Sequence, residues 1–325
     1  MANSLLDPGF LRKLERLRIA ARRAFPGITR GERRSTRRGS SVEFADFRKY
    51  EVGDDFRHVD WNIYARLERL ILRQFVEEED VRIDILVDQS RSMHFGRPVS
   101  KFDCARQAAA ALAFVAVTSL DRVGVSAFDS TIRAKMRAVR GRGRLLSLLS
   151  FLAGLSEGDS PEPAAEVRDP GGEEPGLQSG SQTQVTGKSV ATNLGSVLRG
   201  YQKVTLRPGI VFVISDFLDS HDFRGEMKLL ASRGFDLNLI QVLAPEEMKP
   251  EAGGDLLMVD SETGEAREIT VNERVVAAYL SALAQFTSSL ESFCRANAIG
   301  YTLITADIAF EDVLFRSLIE SRMAN

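Results

Sequence analysis

Asp88, Ser90 and Ser92 place a carboxylate and two hydroxyls at every second position of the chain. In an extended segment, residues two apart point to the same side, so these oxygens can face one point. Hard oxygen donors gathered this way suit a hard divalent cation, Mg²⁺ or Mn²⁺. The preceding run, Ile83-Asp84-Ile85-Leu86-Val87, is short, apolar and β-branched, and predicts a buried strand. A buried strand that stops and leaves polar groups at its carboxyl end is how open α/β sheets build ligand sites. Taken singly, each serine is also explained as a turn or cap residue.

Asp-x-Ser-x-Ser after an apolar strand is similar to the metal-ion-dependent adhesion site of von Willebrand factor A domains. The resemblance implies two further ligands downstream. Ala191-Thr192-Asn193-Leu194-Gly195 opens a helical run and offers Thr192. The second apolar run, Ile210 to Ile214, leads through Ser215 to Asp216. The implied metal set is therefore Asp88, Ser90, Ser92, Thr192 and Asp216, with the hydroxyls binding directly and the aspartates often acting through water. Water or an outside ligand completes such an octahedron, and a partner's carboxylate supplies charge and a hard oxygen together. The expected function is a metal-dependent protein-interaction module that binds an acidic side chain.

A longer signature lies upstream. Glu43-Phe44-Ala45-Asp46-Phe47-Arg48, Tyr50, Gly53-Asp54-Asp55-x-Arg57, Asp60-Trp61 and Ala65-Arg66 follow in order. This string closely resembles a bacterial family catalogued as domain of unknown function number fifty-eight. Members join it to a von Willebrand A-like domain and are often encoded beside MoxR-type AAA+ ATPases. The resemblance implies such an ATPase, or a client it remodels, as partner. Two readings of the signature itself stand. In one, Asp54, Asp55, Asp60, Arg57 and Arg66 form buried ion pairs around Trp61, which fills the underside of a structural strap. In the other, Trp61 and Arg57 are docking anchors, since Trp and Arg are enriched at interface hot spots.

The elements that must position the five donors follow an α/β pattern. Strands are expected at 42–50, 70–76, 83–87, 122–128, 131–139, 209–215, 235–243 and 300–305. Helices are expected at 101–120, 142–155, 192–201, 222–233, 276–296 and 310–323, with a hairpin at 256–271. The predicted fold is von Willebrand factor A-like: doubly wound, mostly parallel, with one antiparallel edge strand at 131–139. Residues 1–41 form a basic amino-terminal helix and loop, 42–80 the signature strap, and 81–325 the A-like domain. Residues 156–189, rich in Gly, Pro, Ser and acidic side chains, read as a disordered insertion.

Composition narrows the function. With 325 residues, 44% hydrophobic and 27% charged, the chain resembles an ordinary soluble protein, and its net charge of −2 creates no strong global field. The first fifty residues hold thirteen Lys/Arg against five Asp/Glu, so nucleic-acid binding through this segment is an alternative. A charge run without aromatics disfavours it. The cysteines, Cys104 and Cys294, make no ligand pattern, and Cys104 reads as a core residue. No signal peptide is recognisable, so a cytoplasmic setting is expected. No apolar run reaches the roughly 20 residues of a membrane span. A phosphoester hydrolase using Asp88 as nucleophile or Asp216 as base is the enzymatic alternative. Against it, no His, Lys or Arg is evidently paired with the cluster, and no nucleotide loop occurs. The chain is therefore expected not to be an enzyme.

Overall fold

A computed structural model describes residues 5, 12, 43–51, 54–76, 82–118, 121–155, 193–205, 207–219, 221–250, 253–259 and 266–307. The amino-terminal helix expected within 1–41, the insertion 156–189, Thr192, the hairpin turn and the closing helix at 310–323 lie outside these residues, apart from Leu5 and Arg12. The chain divides into two compact units, residues 22–81 and residues 1–21 with 82–325.

In the smaller unit, β1 (Glu43–Lys49) pairs antiparallel with β2 (Ile71–Val76). A 3-10 turn (Phe56–His58) and helix α1 (Trp61–Leu67) connect them. The aspartates of the signature are caps. Asp60 starts α1 by accepting from Asn62 N–H at 2.9 Å and Ile63 N–H at 3.1 Å. Asp55 accepts from Arg57 N–H at 3.0 Å, and Asp54 from Glu51 N–H at 2.9 Å. Capping satisfies N–H groups that a helix start leaves without intrahelical partners. Val59 and Leu72 are buried, but Trp61 is 57% exposed and stands edge-on to Tyr64. Within this unit Trp61 is therefore not a core residue. Its polar neighbours hold the local backbone, and its ring projects outward.

The larger unit is built on a sheet of β3 (Arg82–Asp88), β4 (Arg122–Phe128), β5 (Ile132–Arg140), β6 (Ile210–Ser215), β7 (Asp236–Leu243) and β10 (Gly300–Thr305). The spatial order is β10-β7-β6-β3-β4-β5, parallel throughout except for β5, which runs antiparallel to β4. A separate hairpin, β8 (Gly254–Val259) and β9 (Ala266–Val271), precedes the last long helix.

Both faces of the sheet are covered, which explains the nearly continuous apolar runs of its inner strands. Alternate residues serve opposite layers. Leu86, Val211, Val213, Leu237 and Leu239 join one core with Leu198 and Tyr201 of α4 (Leu194–Val204), Met227 and Leu230 of α5 (Arg224–Ser232), and Leu290 and Cys294 of α7 (Glu273–Ala296). The intervening residues Ile85, Val87, Ile240 and Val242 are buried on the other face, where α2 (Lys101–Thr118) crosses β3, β4, β6 and β7 and α3 (Leu145–Ala153) packs against α2. The helix expected to begin at Arg142 instead opens as a 3-10 turn, Arg142–Arg144. Edge strand β5 exposes Arg133 and Lys135, a charged fringe that discourages pairing with another chain. Among the described residues, no helix is long and apolar enough to cross a membrane.

Candidate metal centre

Strands β3 and β6 lie side by side, with Val87 opposite Ile214 at the end of the register. From β3 the chain continues to β4 and β5 on one side, while β6, β7 and β10 extend the sheet on the other. The carboxyl ends at such a reversal of strand order are the usual ligand position of open α/β sheets. Asp88 and Asp216 both stand there, 1% and 3% exposed.

Each oxygen of Asp88 has a protein donor: Oδ1 accepts from Ser90 N–H at 2.8 Å and Oδ2 from the Ser215 hydroxyl at 2.5 Å. Burial, and then the charge of Asp216, push its carboxyl up to about 7, against the pull of those hydrogen bonds. Ser90 stands just before a 3-10 turn, Arg91–His94, that carries Ser92 back toward it. Their hydroxyl oxygens lie 3.1 Å apart. The alternation read as an extended segment is therefore a tight turn, yet the two hydroxyls still converge.

Asp216 is held as closely. Its Oδ1 accepts from Leu218 N–H at 3.0 Å, and its backbone carbonyl from Gln241 Nε2 at 2.9 Å. Gln241 Oε1 in turn accepts from Tyr301 O–H at 2.6 Å, which ties β7 and β10 to the loop. The next residue, Phe217, has φ of 58°, is 1% exposed, and donates its N–H to Ser215 Oγ at 2.9 Å. Further on, Asp219 Oδ2 accepts from Leu194 N–H at 2.7 Å and fastens the loop to the start of α4. Asn193 caps that helix by accepting from Ser196 N–H at 2.8 Å.

The remaining oxygen of Asp216 meets a cation from the chain itself. Lys101, first residue of α2 and 1% exposed, places Nζ 2.9 Å from Asp216 Oδ2 and 2.7 Å from Glu247 Oε1. Glu247 belongs to α6 (Pro245–Met248), and its Oε2 accepts from Ala244 N–H at 2.7 Å. Burial works to lower the Lys101 pKa, but the charges of Asp216 and Glu247 outweigh it and hold the ammonium above its ordinary value. The expectation that no Lys is paired with the cluster is overturned. Lys101, Ser215 and Glu247 are the residues that sequence reasoning missed.

Asp88, Ser90, Ser92 and Asp216 are thus assembled at one rim of the sheet, while Thr192 lies outside the described residues. Among the described residues, no group of three or more His, Cys, Asp or Glu could hold a metal ion. A cation here therefore depends on hydroxyl donors as well. The convergent hydroxyls beside two buried carboxylates are hard oxygen chemistry and fit Mg²⁺ or Mn²⁺. The other sequence candidates, Arg57 and Trp61, are in the smaller unit and exposed.

The family described as "Protein of unknown function DUF58" matches residues 46–288. Uncharacterized proteins of Mycobacterium bovis and Mycobacterium tuberculosis are 25% identical over 267 residues, spanning 82% of this chain and 75% of theirs. Among solved structures, the conserved hypothetical protein BatB from Bacteroides thetaiotaomicron is 15% identical with a TM-score of 0.43, covering 75% of this chain and 99% of that one. An aerotolerance-related membrane protein from Bacteroides fragilis is 16% identical with a TM-score of 0.41, over the same shares of each chain.

Proposed function

The chain belongs to the bacterial DUF58 family, and from that premise we propose that it is a metal-dependent protein-interaction module with a von Willebrand factor A-like larger unit. The observation that carries the proposal is the meeting of Asp88, Ser90 and Ser92 from the end of β3 with Asp216 from the end of β6. The strand order and the single antiparallel edge support the A-like reading. In this reading Ser90, Ser92 and Thr192 bind the metal directly. The aspartates act through water, because their oxygens already accept hydrogen bonds from Ser90, Ser215, Leu218 and Lys101. A bound Mg²⁺ or Mn²⁺ supplies a positive centre with a coordination position left for a partner's carboxylate. Around it the chain's task is to orient the hydroxyls and hold the aspartates at one water's remove.

The same hydrogen bonds speak against the hydrolase alternative. Asp88 is pinned by Ser90 N–H and the Ser215 hydroxyl, one on each oxygen, which suits a fixed electrostatic role better than attack on a phosphoester. The partner is proposed to be a MoxR-type AAA+ ATPase or its client in the cytoplasm, a reading that rests on the family resemblance. Exposed Trp61 and Arg57 offer that partner a second contact surface. Calorimetric titration of Mg²⁺ and Mn²⁺ into the full chain tests the centre. Uptake is expected in the wild type and at least about tenfold weaker binding in Ser90→Ala and Ser92→Ala. A wild type that takes up neither ion ends the proposal. Pull-downs from native extract, with Mg²⁺ and with chelator, then test whether capture of an acidic partner follows the metal.

A further inference from the structure

Lys101 belongs to no expected ligand set, yet it is buried against two carboxylates at the edge of the candidate centre. We infer that Lys101 is a built-in counter-charge that limits the neighbouring site to the charge of one divalent cation. The inference rests on reading Asp88, Ser90, Ser92 and Asp216 as a cation site.

The argument is one of charge count and reach. With a cation bound and Asp88 in its carboxylate form, Asp88, Asp216 and Glu247 carry three negative charges, and Lys101, within 2.9 Å of two of them, cancels one. Two remain, the amount that one divalent cation neutralises. Position matters as much as number. Nζ sits between Asp216 Oδ2 and Glu247 Oε1, while the other Glu247 oxygen is taken by Ala244 N–H. Glu247 is thereby withheld from the metal, and Asp216 keeps only part of its charge for it. Without the ammonium, the Glu247 charge beside Asp216 would go uncancelled, and its field would favour ions of higher charge at the neighbouring oxygens. A merely structural lysine would tie α2, the Asp216 loop and α6 together without any bearing on which ion enters.

Substitutions that alter the count in opposite directions separate these roles. The full chain is titrated calorimetrically with MgCl₂ and with LaCl₃ in phosphate-free buffer at pH 7, as wild type, Lys101→Met, Glu247→Gln and the double variant. Lys101→Met should raise the ratio of La³⁺ to Mg²⁺ affinity by more than about tenfold, and Glu247→Gln should lower it by a similar factor. The double variant again leaves two negative charges, and its ratio should return to within about threefold of wild type. Should Lys101→Met fail to fold, Glu247→Gln and the double variant still decide. An unmoved ratio in Glu247→Gln, or a double variant far from the wild-type ratio, overturns the inference while the cation reading stands. A wild type that binds no Mg²⁺ overturns both.

Discussion

In the metal-free protein, Asp88→Asn should raise stability at neutral pH, although it alters a residue central to the candidate centre. Burial and the charge of Asp216 push the Asp88 carboxyl from 3.8 to about 7. A carboxyl raised on folding stabilises the fold fully below the unfolded value, and that contribution is lost as pH rises through the folded value. The shift of roughly three pH units corresponds to about 4 kcal/mol between pH 4 and pH 8. Asparagine removes the charge at a small cost. Its carbonyl can accept from Ser90 N–H, but the Ser215 hydroxyl loses the acceptor it has at 2.5 Å, worth about 1 kcal/mol. The net gain at pH 8 is then about 3 kcal/mol, or on the order of 10 °C in melting temperature for a unit of this size. Circular-dichroism melts with chelator at pH 5, 6, 7 and 8 measure it. The wild-type melting temperature should fall with pH relative to the variant, and added Mg²⁺ should raise only the wild type. Parallel curves for the two proteins in chelator would refute the reasoning.

Other outcomes follow from the packing. Tyr201→Phe removes the hydroxyl that donates to buried Asp84 at 2.6 Å, leaving that carboxylate to Arg82, and should cost about 1–3 kcal/mol in urea unfolding. In Gly209→Ala the new methyl would lie 2.5 Å from the Arg82 carbonyl oxygen, so a loss of about 1–3 kcal/mol is expected. Gly225→Ala, inside α5 with open space around it, should instead gain about 0.5 kcal/mol, and equal effects at the two glycines would count against the strand packing described. Burial pushes the Cys104 and Cys294 thiols up to about 12, so Ellman's reagent should label neither in the native protein and both in denaturant.

Much of the larger unit was readable because its inner strands are buried on both faces. Ile83 to Val87 and Ile210 to Ile214 are apolar runs bounded by polar residues, so their positions, and the oxygens at their ends, stood out. Antiparallel β5 was expected as an edge strand at 131–139, directly after β4, and Ile132–Arg140 pairs there. Lys101 and Glu247 were not visible. They lie 115 and 146 residues from Asp216 and Lys101, their respective partners, and only the strand order brings them together. Lys101 also heads a largely apolar helix, where a cation in the first turn reads as a surface residue. Glu247 falls in a four-residue helix too short to leave a periodic signal. Ser215 was passed over as the residue before an aspartate, although its hydroxyl fastens β6 to β3. In the signature, Asp55 and Asp60 carried a recognisable capping pattern, but pairing them with nearby arginines concealed it.

The left-handed turn at Phe217 ties the Asp216 loop to the hydrophobic interior. By backbone preference alone that position asks for glycine, and holding a bulky residue there costs about 1–2 kcal/mol. The ring offsets this by wedging into the core beside Phe223, 5.8 Å between centroids. The aim of the adjoining carboxylate is therefore set from beneath, by an aromatic anchor buried under the loop. Transplanting Asp-x-Ser-x-Ser and a distant aspartate onto another parallel sheet would copy the donors without the wedge that points them.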